Sequence, residues 1–288
     1  MISRAFTQVL PLSSIFGYLT GPRLAAAPGP PKPTPGSITQ AWETLEALAT
    51  SNSAQRRRYA IGALALIAGR QTKARKLMER ALAYDKEADV RSYAASALGE
   101  AKIRAAMPAL RSALRDSNVR VAFAAAKALF EMGDHSGSPL LRQVLTGEVN
   151  QAPGLVEGAL SDARKTLHDP KQLAMIGINE AAGALLGPAS LAITVAEQSL
   201  RDKGATARAL SARLLAEDRS TASRQALIEG LGDSNVLVRV ASCQALAMQG
   251  DRSSLPHIEV LLGGKDEAAR AMAAAAVLRL SSRKPHKG

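Results

Sequence analysis

Apolar and small residues recur along this chain in a fixed figure: Val90, Ala94, Ala97 and Leu98, then Val121, Ala125, Ala128 and Leu129, then Val238, Ser242, Ala245 and Leu246. Intervals of four, three and one residue place these side chains on one face of an α-helix. Each figure is preceded by an aspartate five residues before its valine (Asp85, Asp116, Asp233), and the first two copies start 31 residues apart. A second marker keeps step, because Pro108, Pro139 and Pro170 are also 31 residues apart and Pro256 holds the same offset from Asp233 as Pro108 from Asp85. Proline suits the first turn of a helix, where the backbone N–H groups have no partner anyway. Leucines then return at helical spacing from Pro108 to Leu114 and from Pro139 to Leu145. The pattern therefore predicts a helical hairpin about thirty residues long, written several times.

With both markers in phase, the weaker copies can be placed. Units are expected near 51–84, 85–115, 116–146, 147–177, 202–232 and 233–263, followed by a half unit at 264–281. A lone hairpin cannot bury both of its apolar faces, so the units must stack. The expected fold is all-α, a right-handed α-solenoid of stacked helical hairpins over residues 42–281 with one inserted helical segment at 178–201. That insertion is extra to the period and carries Leu185, Leu186, Leu191 and Ile193. It reads either as an extra helix or kinked pair packed on a neighbouring repeat, or as an apolar patch that docks a partner or a membrane. The half unit has no following repeat, so either the chain's last residues or another molecule is expected to cap it.

The pattern Asp-x4-Val-Arg-x2-Ala-x2-Ala-Leu, followed by a proline-started leucine helix, resembles HEAT repeats, specifically the short variety of phycobilisome lyase-like proteins. The resemblance covers roughly residues 42 to 281. It implies that an aspartate and an arginine six residues apart, here Asp85/Arg91, Asp202/Arg208 and Asp233/Arg239, join the turns of neighbouring repeats by hydrogen bonds. The unit at Asp116 departs from this, with Ala122 in the arginine slot and Arg120 two residues earlier, and the ladder is expected to break there. The resemblance also implies that the Val-Arg helix lines the concave side.

Composition narrows the functional classes. Aromatics make up only 3% of the chain, which suits thin helical layers in close contact. Of the net charge of +12, six charges lie in residues 1–41 and in the basic tail 282–288, leaving +6 on the solenoid. A diffuse charge of that size does not indicate a nucleic-acid groove, and no nucleic-acid partner is expected. Residues 1–41 also hold a basic start (Arg4), an apolar stretch from Val9 to Leu19, a small-residue site at Ala25, Ala26 and Ala27, and a Pro/Gly linker from Pro28 to Gly36 that is expected to be non-helical. A signal peptide with a spacer explains all four, which places the protein in the periplasm or envelope. The alternative is a cytoplasmic protein with a tail of that composition. Beyond this region the longest uncharged run, Ala181 to Ala196, is shorter than the ~20 residues a bilayer crossing needs.

Catalytic motifs are missing. His135, His168, His257 and His286 form no His-Glu-x-x-His or comparable metal pair. Deoxyhypusine hydroxylase has similar repeats but depends on adjacent His-Glu pairs, and this chain has no His-Glu dipeptide. The glycines at 177, 183 and 187 lack phosphate-cradling spacing, and Gly133 and Gly250 are expected to end helices in left-handed caps. The single cysteine, Cys243, excludes an internal disulfide and is expected to be buried. No catalytic residue, metal or cofactor is therefore assigned.

A curved binding surface remains. Offsets 4, 7, 11 and 15 of the Val-Arg helix should point away from the core: Asp89, Ser92, Ser96 and Glu100; Arg120, Phe123, Lys127 and Glu131; Leu237, Val240, Gln244 and Met248. Among these Arg120, Phe123, Lys127, Glu131, Ser92, Ser96 and Gln244 are the candidate partner-binding residues, with Phe123 as an aromatic anchor between cations. The function expected is a non-catalytic scaffold that binds an unidentified protein through this face. The alternative is a lyase-like HEAT protein acting on a ligand or a cofactor-bearing partner.

Overall fold

The computed structural model describes residues 31–146, 202 and 204–282. The unit at 147–177, the 178–201 insertion, the N-terminal signal-like stretch to residue 30 and the tail from 283 lie outside the described residues. Within them the chain is all helical, an α-solenoid with no strand among the described residues.

Twelve α-helices are described: α1 (Pro35–Ala49), α2 (Ala54–Ala65), α3 (Thr72–Tyr84), α4 (Ala88–Glu100), α5 (Met107–Ala113), α6 (Val119–Glu131), α7 (Ser138–Thr146), α8 (Ala205–Leu215), α9 (Thr221–Gly230), α10 (Val236–Gln249), α11 (Leu255–Val260) and α12 (Glu267–Ser281). Local chemistry sets their ends. Asn118 and Asn235 accept the N–H of Arg120 and Leu237 through their side chains, starting α6 and α10. Gly250 closes α10 in the left-handed region at φ 78°, and Gly133 follows α6 at φ 86°. Pro108 and Pro256 stand in the first turns of α5 and α11.

Helices α8, α10, α12, α2, α4 and α6 form one layer, each packed on the next in that order, with α9, α11, α3, α5 and α7 behind. Val90, Val121 and Val238 fill the same interior position of α4, α6 and α10, at 0%, 0% and 3% exposure. The alanine-leucine pairs at 97–98, 128–129 and 245–246 are buried beneath them. Small residues let these layers close up: a Cβ on Gly99 of α4 would stand 2.5 Å from the Cβ of Ala128 on α6.

The order of units in space is not their order in sequence. Helix α12 packs on α1 and α2 as well as on α10. The described residues thus make a continuous arc in which the hairpins run α8/α9, α10/α11, α12/α1, α2/α3, α4/α5, α6/α7. The central hairpin is composite, its inner helix coming from the C-terminal end of the chain and its outer helix from the N-terminal end. Among the described residues α1 covers the half unit, a contribution that neither expectation named. It also corrects the linker assignment. Pro35 and Gly36 belong to the first turn of α1, whose N-cap Thr34 accepts the Ser37 N–H at 3.1 Å. Proline at the head of a capped helix starts it rather than forbids it.

Polar side chains stitch the arc. Arg57 donates to Asp85, Arg91 to Asp116, Arg208 to Asp233 and Arg239 to Asp266, at 2.6 to 2.8 Å. Arg57, Arg91 and Arg208 therefore reach the opening aspartate of the following unit, and Arg239 reaches Asp266, two residues into the half unit that opens at Gly264. Arg91 and Arg239 also donate to the opening carbonyl of their own units, Asp85 O and Asp233 O, while Arg208 reaches the Asp202 carboxylate at 2.6 Å. In the unit at Asp116 the slot residue Ala122 is buried, and Arg120 turns back to Asp89 on α4 at 2.8 Å. A second ladder on the other side of the hairpins was not read from sequence: Arg111 of α5 donates to Asp134, and Arg224 of α9 to Asp251.

The joint at α12 is made differently. Arg270 holds the ladder slot and reaches the Gly264 carbonyl at 3.2 Å, but the next unit opens at Ser51, which has no carboxylate. Instead Arg56 pairs with Glu267 at 2.9 Å, and Arg279 donates to Ala247 O on α10 and to Leu66 O at the end of α2, at 3.1 and 2.7 Å. One guanidinium thereby ties the inner helices on either side of α12.

Candidate functional site

Curvature brings the C-terminal ends of all six inner helices around one cavity of about 810 Å³. Its wall follows the repeat. Offsets 11 and 15 of successive units supply Gly62 and Leu66, Glu100, Lys127 and Glu131, Arg213 and Glu217, Gln244 and Met248, and Arg279. Arg70, Ile103 and small residues such as Ala101, Ala216 and Ala241 complete it.

Three of the seven candidate partner-binding residues, Lys127, Glu131 and Gln244, are in this wall. The other four are not. Arg120 is spent on Asp89, and Ser92, Ser96 and Phe123 are half-buried along the inner helices. The expectation that Leu237 and Val240 point away from the core is corrected: both are buried, at 2% and 3% exposure. Helix α10 is clasped between α8 and α12, and those neighbours cover its flanks at offsets 4 and 7. Arg213, Glu217 and Arg279 were missed, although the same offsets counted in the degenerate units lead straight to them. The ladder residues Asp85, Arg91, Asp202, Arg208, Asp233 and Arg239 lie in the inter-repeat turns and do not line the cavity.

The charges of the wall divide into two groups. Lys127 pairs with Glu131 one turn away at 3.7 Å, and Arg279 is committed to two carbonyls. Glu100, Glu217, Arg70 and Arg213 make no side-chain hydrogen bond or ion pair with any described residue. Glu100 faces the open cavity but has protein on its other sides. That burial pushes its carboxyl above the usual range, while Lys127 pulls it down, Glu131 adds to the rise and Arg213 pulls it down. The described wall includes no serine, threonine, cysteine or histidine. Cys243 is fully buried in α10, and burial pushes its thiol well up, which makes it inert as a nucleophile. His135 packs edge-on against Phe130, away from the cavity. Among the described residues no group of three metal-ligating side chains forms, and no helix is long and apolar enough to cross a membrane.

Comparison with known proteins agrees with this architecture. A family model described as HEAT repeats matches residues 74–152 and 193–279, more than half of the chain. No curated protein matches it.

Proposed function

The chain belongs to the HEAT-repeat family, whose repeats generally serve as protein-interaction scaffolds, and from that premise we propose that it is a non-catalytic scaffold binding another protein at the inner helix ends. The observation that carries this reading is the shared cavity, to which every described inner helix contributes. Concave cavities of several hundred cubic ångströms are where proteins hold ligands and chain segments. A wall without serine, threonine, cysteine or histidine supports binding over chemistry. The N-terminal pattern of basic start, apolar stretch and small-residue site supports export to the periplasm or envelope, and N-terminal sequencing of the mature chain tests that.

The main test is affinity capture from the native organism with the wild-type chain, with Gln244→Trp inside the cavity and with Lys76→Glu on the outer face. A partner retained by the wild type and the outer variant but lost with Gln244→Trp is the expected result. Equal recovery with all three would sink the proposal. A chromophore or metal co-purifying in stoichiometric amount would favour the lyase-like alternative.

A further inference from the structure

The cavity holds a pair of opposite charges kept apart. Glu100 ends α4 and Arg213 lies in the last turn of α8, helices that belong to opposite halves of the arc and do not pack on each other. Both nevertheless line the same cavity. No ion pair closes between them, and neither side chain has another described partner. Glu217 and Arg70 repeat the situation elsewhere on the wall. These charges share one concave wall, so a ligand that supplies both complements forms charge-assisted hydrogen bonds with them at the same time. A ligand of one sign satisfies half of the wall and is repelled by the other half.

We propose that the cavity receives a short, extended peptide segment carrying a cation and an anion on nearby side chains, the cation meeting Glu100 and the anion Arg213. This rests on the scaffold reading above and specifies the partner's chemistry. The alanine and glycine positions of the wall, Gly62, Ala65, Ala241 and Ala245, leave room for a peptide backbone, and Ile103 and Met248 offer apolar contact. A volume of about 810 Å³ suits a segment of a chain and excludes a folded domain.

The test uses the full chain and end-blocked hexapeptides: alternating Lys and Glu, all Lys, all Glu, and a neutral Ser/Gln control, with affinities measured by calorimetry. The mixed peptide should bind at least about tenfold more tightly than the others, since each charged hydrogen bond is worth roughly that factor. Glu100→Gln and Arg213→Gln should each lower its affinity about tenfold at unchanged helicity. The double reversal, Glu100→Arg with Arg213→Glu, should restore it. Equal binding of a single-sign peptide, or indifference to both single variants, overturns the assignment. So does a photo-crosslinker at Met248 that reacts with residues 147–201 of its own chain and not with the peptide. A native partner lost with Gln244→Trp but indifferent to Glu100 and Arg213 would refute the charge assignment alone; a partner indifferent to Gln244→Trp refutes the scaffold reading itself.

Discussion

Asp116 shows how one side chain binds two units together. Its carboxylate accepts from Arg91 Nε and Nη2 at 2.8 and 2.9 Å and from the Asn118 N–H at 2.8 Å. Burial opposes its charge, but the Arg91 fork and the Asn118 N–H outweigh that and hold the carboxyl below the usual range. A carboxylate depressed in the folded state contributes stability above the ordinary aspartate range and loses it as pH falls through the folded value. Both partners are mostly buried, at 14% and 12% exposure. Arg91→Ala should therefore cost about 3 kcal/mol at neutral pH by urea unfolding, since it strands a buried charge. The wild type should also lose stability below about pH 4 more steeply than Asp116→Asn does. The Arg111 rung offers a contrast, because the arginine side chain is 53% exposed. Arg111→Ala should cost less than about 1 kcal/mol.

At the scale of helices, the spacing between inner helices depends on what is absent. Gly99 lies where α4 meets α6, and a methyl group there would meet the Cβ and Cα of Ala128 at 2.5 and 2.8 Å. In an isolated helix glycine-to-alanine gains about 1 kcal/mol. Here the clash includes backbone and cannot be relieved by turning a side chain. Gly99→Ala should instead destabilise by about 1 to 3 kcal/mol in thermal or urea unfolding. A neutral or stabilising result would mean that the two helices slide apart freely. Helix α10 teaches the same lesson from the other side: neighbours on both flanks turned Leu237 and Val240 inward, whereas Gln244 and Met248, nearer its end, reach the cavity.

Among the described residues the arc is joined through α1 and α12. Helix α12 is alanine-rich and buried from Ala268 to Leu280 almost throughout, and α1 supplies part of that cover. Lys73 of α3 stacks over the Trp42 ring of α1 at 4.6 Å, continuing the outer layer across the joint. Deleting residues 1–50 should therefore expose the α12 face, lower the melting temperature and raise binding of a hydrophobic dye. Deleting residues 1–33, which spares α1 and its Thr34 cap, should leave both unchanged. If the longer deletion melts like the wild type, α1 is not the closing helix.

Much of the fold was legible because it is local. Helical spacing, proline at second-helix starts and glycine at first-helix ends all act within a few residues, so Val90, Val121 and Val238 could be assigned to one interior position from the sequence alone. The aspartate-arginine spacing likewise pointed to the ladder, and the burial of Cys243 followed from its place on an inner helix. The cavity was legible only in part. Offsets 11 and 15 were read together with offsets 4 and 7, and nothing in a single helix separates them; the curvature of the stack does. The junction of α1 with α12 was not legible at all, since those helices lie more than two hundred residues apart and carry no shared motif. Periodicity determined the hairpins, because each turn of helix answers to its own side chains. Tertiary structure decided which hairpins are neighbours and which charges share a cavity, because closure of the arc sums small rotations over every unit.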